Sequence, residues 1–202
     1  MLNSGLISGS DDFPPTLCVS RLCPLIMSTS ALMAILLWEL VRSGPSLIEP
    51  PDTPNQRIWD IINKEDEFID LLNHPLIDEV IPWYLGDHSI IYSYTANIAR
   101  PGNVPTHLHT DQLAISPPAR DIAYGMDNMF YLEDITDNNG ATRVYPASHL
   151  GNIAPSDIST VDGSIPAEGP AGTALVFESR LWHATGPNRA EKGKRLLSYS
   201  FP

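Results

Sequence analysis

Cysteine is scarce in this 202-residue chain: Cys18 and Cys23, both near the N-terminus, are the only two. A disulfide framework is therefore not expected, and a reducing, cytoplasmic setting is the simpler reading. Basic residues are also few. Twelve Lys and Arg against 24 Asp and Glu leave a formal net charge of −12. That argues against a nucleic-acid partner, which needs a basic surface. Long uninterrupted apolar runs are lacking too. A spanning helix wants about 20 mostly apolar residues with few charges. The nearest stretch, 22–41, carries Pro24, Ser28, Thr29, Ser30 and Glu39, and it lacks the basic start and cleavage site of a signal peptide. Residues 30–41 read instead as a buried or amphipathic helix ending before Gly44-Pro45. No internal repeat is visible.

What is present suits one domain with a sizeable core: 43% of residues are hydrophobic. The 19 prolines favour a loop-rich β fold over a helical bundle. A proline-rich linker over 45–54 separates an N-terminal extension (1–54) from the rest (55–202). Ile58, Ile61, Ile62, Phe68, Ile69, Leu71 and Leu72 fall near helical spacing, so a helix is expected over 58–72. A second short helix is expected over 75–81. Glu65, Asp66 and Glu67 read as a solvated face of the first. From residue 89 the period changes. Residues 89–96 are β-branched and aromatic and predict a strand. Arg100-Pro101-Gly102-Asn103 predicts a turn, 123–132 a strand, and Asn139-Gly140 a hairpin turn returning through 141–145. Further strands are expected over 173–177, 181–185 and 195–201. Short strands behind N-terminal helices predict a mainly β fold, a sandwich or jelly roll.

The residues that carry chemistry begin at His109-x-Asp111. Two positions apart at a strand end, an imidazole and a carboxylate point the same way. Alone this is a weak signal, since a single histidine is more often structural. The best third ligand is His183, in Arg180-Leu181-Trp182-His183-Ala184-Thr185-Gly186. Two histidines and one carboxylate leave coordination positions open on Fe(II) for a co-substrate and dioxygen. Arg195 follows His183 by 12 positions. Its planar fork suits a bidentate pair with a carboxylate. Thr185, two residues after His183, adds a hydroxyl on the same strand face. The bland readings are a turn hydrogen bond for His149, a surface or capping place for His74 and His88, a cavity wall for Trp182, and turn formation for Asp134, Asp137 and Asn138.

Three ordered blocks carry a family resemblance. The first is His109-Thr110-Asp111-Gln112. The second is Leu132-Glu133-Asp134-x-Thr136-x-x-Asn139-Gly140-Ala141-Thr142-Arg143-Val144-x-Pro146-x-Ser148-His149. The third is Gly172-Thr173-Ala174-Leu175-x-Phe177-x-x-Arg180-x-Trp182-His183-x-x-Gly186-x-Asn188, closing on Arg195. In their order and spacing the chain resembles the phytanoyl-CoA dioxygenase family of Fe(II)/2-oxoglutarate oxygenases, and among them the fungal members that tailor secondary metabolites. The resemblance covers roughly residues 80–201.

The resemblance implies a double-stranded β-helix over 55–202, cut short at its C-terminal end relative to the family. It implies iron on His109, Asp111 and His183, and 2-oxoglutarate held by Arg195 with Thr185 assisting and Thr142 facing it. Lys194, one position away, is the alternative cation. Where the family often has a Gln, this chain has Thr106. His107 shares a strand face with His109 and is expected to pack or support rather than to bind metal. The activity implied is hydroxylation or desaturation of a small, largely apolar metabolite, with dioxygen as the other partner. A second copy of the chain is the candidate assembly, and neither nucleic acid nor membrane is expected. Two alternatives stand beside it. One is a non-catalytic jelly-roll binding or partner subunit that keeps the motif. The other is a zinc-dependent hydrolase or isomerase using the same three ligands.

Overall fold

Two β-sheets stack face to face, and the interior between them draws on apolar residues of both. The structure, a computed structural model, describes residues 18–21, 54–114, 123–151, 153–191 and 195–201; for 18–21, 76, 113–114 and 195–201 it describes the backbone alone. In chain order the elements are β1 (Cys18–Arg21), β2 (Asn55–Ile58), α1 (Asp66–Leu72), α2 (Pro75–Leu85), β3 (Ser93–Ala99), β4 (Met126–Tyr131), β5 (Arg143–Val144), β6 (Ile165–Pro166), β7 (Thr173–Glu178), β8 (His183–Ala184) and β9 (Arg195–Phe201). The larger sheet runs β1-β7-β4-β9-β3-β2 and the smaller β6-β5-β8. Their pairings are antiparallel, as in a jelly roll.

Each face of the larger sheet has its own core. Met129, Tyr131, Leu175 and Phe177 point toward the smaller sheet and pack with Ile135, Ala141, Val144, Ala167 and Leu181. Alternate residues of the same strands, Met126, Phe130, Ala174 and Val176, point the other way, against Phe68 and Leu71 of α1 and Ile77 and Ile81 of α2. This is period-2 alternation with both faces covered, so β4 and β7 are buried at all six positions. Asp66 and Glu67 in the first turn of α1 complement its dipole. Pro75 opens α2, where its missing N–H costs nothing. Tyr131 Oη donates to the Ala167 carbonyl at 2.7 Å from a site 1% exposed. Tyr131→Phe is expected to cost about 1–2 kcal/mol, read as a lower urea midpoint with an unchanged slope.

Three local expectations differ from the structure. The helix expected over 58–72 is broken. Ile58 ends edge strand β2, Asp60 adopts a left-handed conformation (φ 57°), a 3-10 turn spans Ile61–Asn63, and α1 starts only at Asp66. Ile58 and Ile61 are buried all the same, so helical spacing of apolar residues was satisfied without a helix. The strand expected from residue 89 begins at Ser93, opposite Phe201, the last residue of β9; Ile90 and Tyr92 lie before the strand and are exposed. The Asn139-Gly140 turn forms, with Gly140 at φ 96°, but it does not close a hairpin. The chain crosses to the other sheet, where β5 pairs with β6 and β8. The helix expected over 30–41 and the membrane question over 22–41 lie outside the described residues. Among those described, no helix is long and apolar enough to cross a membrane.

Candidate metal centre

His109 and His183 are brought together by the backbone. They form an isolated antiparallel bridge, with His109 N–H donating to the His183 carbonyl at 3.0 Å and His183 N–H donating back at 2.9 Å. Asp111 then opens a 3-10 turn (Asp111–Ala114) rather than continuing a strand. Its N–H and that of Gln112 both donate to the Ser179 carbonyl, at 2.9 and 3.2 Å. The two ligand-bearing segments, 109–112 and 179–183, are thus stitched together by four backbone hydrogen bonds.

The side chains converge on the carboxylate. Asp111 Oδ1 lies 3.4 Å from His109 Nε2, and Asp111 Oδ2 lies 3.4 Å from His183 Nε2. The three donor groups fall within 4.8 Å of one another. Both imidazoles are fixed in the same way. Nδ1–H of His109 donates to the His107 carbonyl at 2.7 Å, and Nδ1–H of His183 to the Leu181 carbonyl at 2.9 Å. Those bonds select the tautomer that leaves each Nε2 lone pair free, as in metal sites where a partner behind the ring orients the ligand. His183 is 4% exposed and wedged edge-on against Phe177, with ring centres 5.0 Å apart; His109 is 33% exposed and Asp111 24%, so the centre opens on their side.

The electrostatics follow from this geometry. Burial works to raise the Asp111 carboxyl, but the two imidazoles overcome it and hold the group well below the usual carboxylate range. Burial works to lower His109, and the hydrogen bond and charge of Asp111, with the His107 carbonyl, more than offset it, so the net shift is upward. A second carboxyl, Asp127 on β4, is fully buried, and neither oxygen has a hydrogen-bond partner. Burial, and then the charge of Asp111, push it well above the usual carboxylate range.

The structure places the other residues of interest as follows. Thr185 lies two positions past His183, and its N–H donates to Thr106 Oγ1 at 2.6 Å, so the residue standing where the family often has Gln anchors that segment. Thr142 is 2% exposed and its hydroxyl lies 3.6 Å from Met129 Sδ. Arg195 begins β9, opposite Ala99 of β3; its side chain, like Lys194 altogether, lies outside the described residues. His107 contributes its carbonyl, while the residue itself is exposed. His149 differs from expectation. It is 1% exposed and neither ring nitrogen has a hydrogen-bond partner; the side-chain bond in this turn is made by Ser148, whose Oγ accepts from Trp182 N–H at 2.8 Å. Arg57 stands apart from every sequence motif. It sits on β2, donates to Asn97 Oδ1 at 2.7 Å, lies over Trp59 at 5.1 Å, and its positive charge is felt by His109. No local signal marks it, since its nearness to His109 depends on how β2 lies in the sheet.

Two histidines and one carboxylate converging in a jelly roll are a donor set that fits Fe(II) and leaves coordination positions open. The comparisons with known proteins agree. The model of the phytanoyl-CoA dioxygenase (PhyH) family matches residues 50–196, and the chain belongs to that family. It is 29% identical over 174 residues to the dioxygenase af480 of Aspergillus fumigatus, covering 82% of this chain and 56% of that protein. It is 37% identical over 134 residues to the dioxygenase aneA of Aspergillus aculeatus, covering 62% of this chain and 45% of that one. The chain therefore spans about half the length of the curated relatives it matches. Among solved structures, EctD from S. alaskensis with 2-oxoglutarate and 5-hydroxyectoine shares the fold at a TM-score of 0.73 and 17% identity, over 92% of this chain and 71% of that one. The non-haem α-ketoglutarate-dependent epimerase SnoN from nogalamycin biosynthesis does so at 0.69 and 18%, over 91% and 76%.

Proposed function

We propose that this chain is an Fe(II)/2-oxoglutarate-dependent oxygenase that oxidises a small, largely apolar metabolite, by hydroxylation or desaturation, in secondary metabolism. The observation that carries it is the convergence of His109, Asp111 and His183, each imidazole held by a backbone carbonyl with Nε2 toward the carboxylate. The family and its fungal dioxygenase relatives support the same reading. Bound iron with 2-oxoglutarate supplies oxidation of a substrate C–H bond by dioxygen, with 2-oxoglutarate converted to succinate and carbon dioxide.

The chain's own residues hold and aim that chemistry. His109 Nε2, His183 Nε2 and one oxygen of Asp111 would hold the iron, and three protein donors would leave coordination positions for a co-substrate and dioxygen. Arg195 would pair with the distal carboxylate of 2-oxoglutarate, with the Thr185 and Thr142 hydroxyls as further donors. Arg57 adds positive potential beside His109, where an anionic co-substrate is favoured.

The test is succinate formation from 2-oxoglutarate by anaerobically purified, Fe(II)-loaded protein after admitting air. Turnover is expected in the wild type. In Arg195→Gln, KM for 2-oxoglutarate is expected to rise at least about tenfold, the worth of a charged hydrogen bond. An unchanged KM removes Arg195 from the co-substrate site. No turnover in a folded, iron-loaded wild type, with candidate substrates present, points instead to a non-catalytic jelly-roll subunit. Turnover of a hydrolysable substrate by the zinc-loaded form that survives Arg195→Glu points to a zinc hydrolase.

A further inference from the structure

We propose that Glu178, gripped between Tyr84 and Arg180, is a positioning residue for Asp111, tying helix α2 to the metal-binding turn. The proposal rests on the metal-centre reading above. Glu178 ends β7 and is 6% exposed. Tyr84 Oη donates to Glu178 Oε2 at 2.5 Å across 94 residues of sequence. The other oxygen, Oε1, pairs with Arg180 Nε, which is itself 13% exposed. The residue enclosed by that pair is Ser179, whose carbonyl takes the N–H groups of both Asp111 and Gln112. Ser179 N–H donates to the Gly125 carbonyl at 3.0 Å, and Leu181 N–H to the Glu178 carbonyl at 2.9 Å, so the Ser179 carbonyl has little freedom to turn.

A purely stabilising role explains this arrangement poorly. Taking a carboxylate and a guanidinium out of water costs about as much as their attraction returns, so a buried pair is weak as a source of stability. Its best attested use is to fix geometry. The geometry here is demanding, because Asp111 stands within 3.4 Å of two imidazoles at once, and the backbone bonds at its own N–H and at that of Gln112 end on the one carbonyl that Glu178 brackets. Burial pushes the Tyr84 phenol up, so it stays a hydrogen-bond donor.

The test uses Co(II) titrated into the metal-free full chain, followed by calorimetry well below the melting temperature. Glu178→Gln and Tyr84→Phe are each expected to bind Co(II) about tenfold more weakly, the lower end of the range for groups that orient ligands from outside. The double variant is expected to bind no more weakly than Glu178→Gln, because both changes act through one carboxylate. Lower metal-free melting temperatures with Co(II) affinity unchanged would overturn the proposal, leaving the pair a structural feature. If Glu178→Gln does not fold, Tyr84→Phe decides alone, since it deletes one hydroxyl and keeps the ion pair. His109→Ala keeps the two readings apart. Wild type that binds Co(II) no better than His109→Ala overturns the metal centre itself, whereas tight wild-type binding matched by Tyr84→Phe overturns only the positioning role.

Discussion

Asp111→Ala is expected to weaken Fe(II) or Co(II) binding by well over 100-fold and to bring succinate formation down to background. Removing a group that merely orients a ligand costs about 10–100-fold in metal affinity, and Asp111 is placed to be the ligand itself. Its loss takes away one of three donors and the only negative charge of the set, leaving two neutral imidazoles to face a dication. Asp111→Asn separates charge from shape. It keeps the size and an oxygen donor but drops the charge, and its affinity is expected to stay far below wild type. Fold integrity is checked by the metal-free melting temperature. The fold is expected to persist with a somewhat lower melting temperature, because the backbone bonds from residues 111 and 112 to the Ser179 carbonyl remain while the carboxylate's favourable pairing with the two imidazoles is lost. Affinity within a few-fold of wild type in a folded Asp111→Ala protein would mean that the metal sits elsewhere.

That the three residues meet was legible in the sequence, though not the way they meet. Ligand-type side chains two apart, with a third histidine inside an ordered block, were enough to mark His109, Asp111 and His183. The expected device was a continuous strand with period 2. The actual device is a one-residue bridge between distant segments followed by a 3-10 turn. Such a bridge depends on pairing across 74 positions, which no local pattern records. The same limit explains β5. Asn139-Gly140 announces a turn, but nothing local says whether the returning strand pairs with its predecessor or crosses to a second sheet. Ile58 shows a different failure, since apolar residues at helical spacing are equally well buried by an edge strand and a 3-10 turn. Arg57 and Glu178 were invisible because their meaning comes from partners 40 and 94 residues away in sequence.

Gly186→Ala is expected to be among the most damaging single-methyl changes in the chain. Gly186 follows the His183–Thr185 segment and runs against the Gly140–Ala141 turn; its N–H donates to the Ala141 carbonyl at 3.1 Å, and its own carbonyl accepts from Asn103 Nδ2 at 3.2 Å. A Cβ there would fall on the Ala141 carbonyl oxygen, well inside contact distance, with the Gly140 carbonyl carbon 3.3 Å away. Both obstacles are backbone, so neither can step aside by changing a rotamer. One of the two segments must move, and the Gly140 turn is itself set by a left-handed φ of 96°. Overpacking against backbone belongs at the upper end of its usual range, about 3 kcal/mol, or about 6–12 °C in melting temperature for a domain of this size. Because the displaced strand carries His183, Co(II) affinity is expected to fall as well. Gly151→Ala is the matched control. Its nearest neighbour would be Ile153 Cγ1 at 3.6 Å, ordinary contact, so its melting temperature is expected to hold or rise slightly. Equal stability of the two variants would mean that the Gly186–Ala141 approach is looser than the structure has it, and that β8 is held to the second block by something other than this close backbone contact.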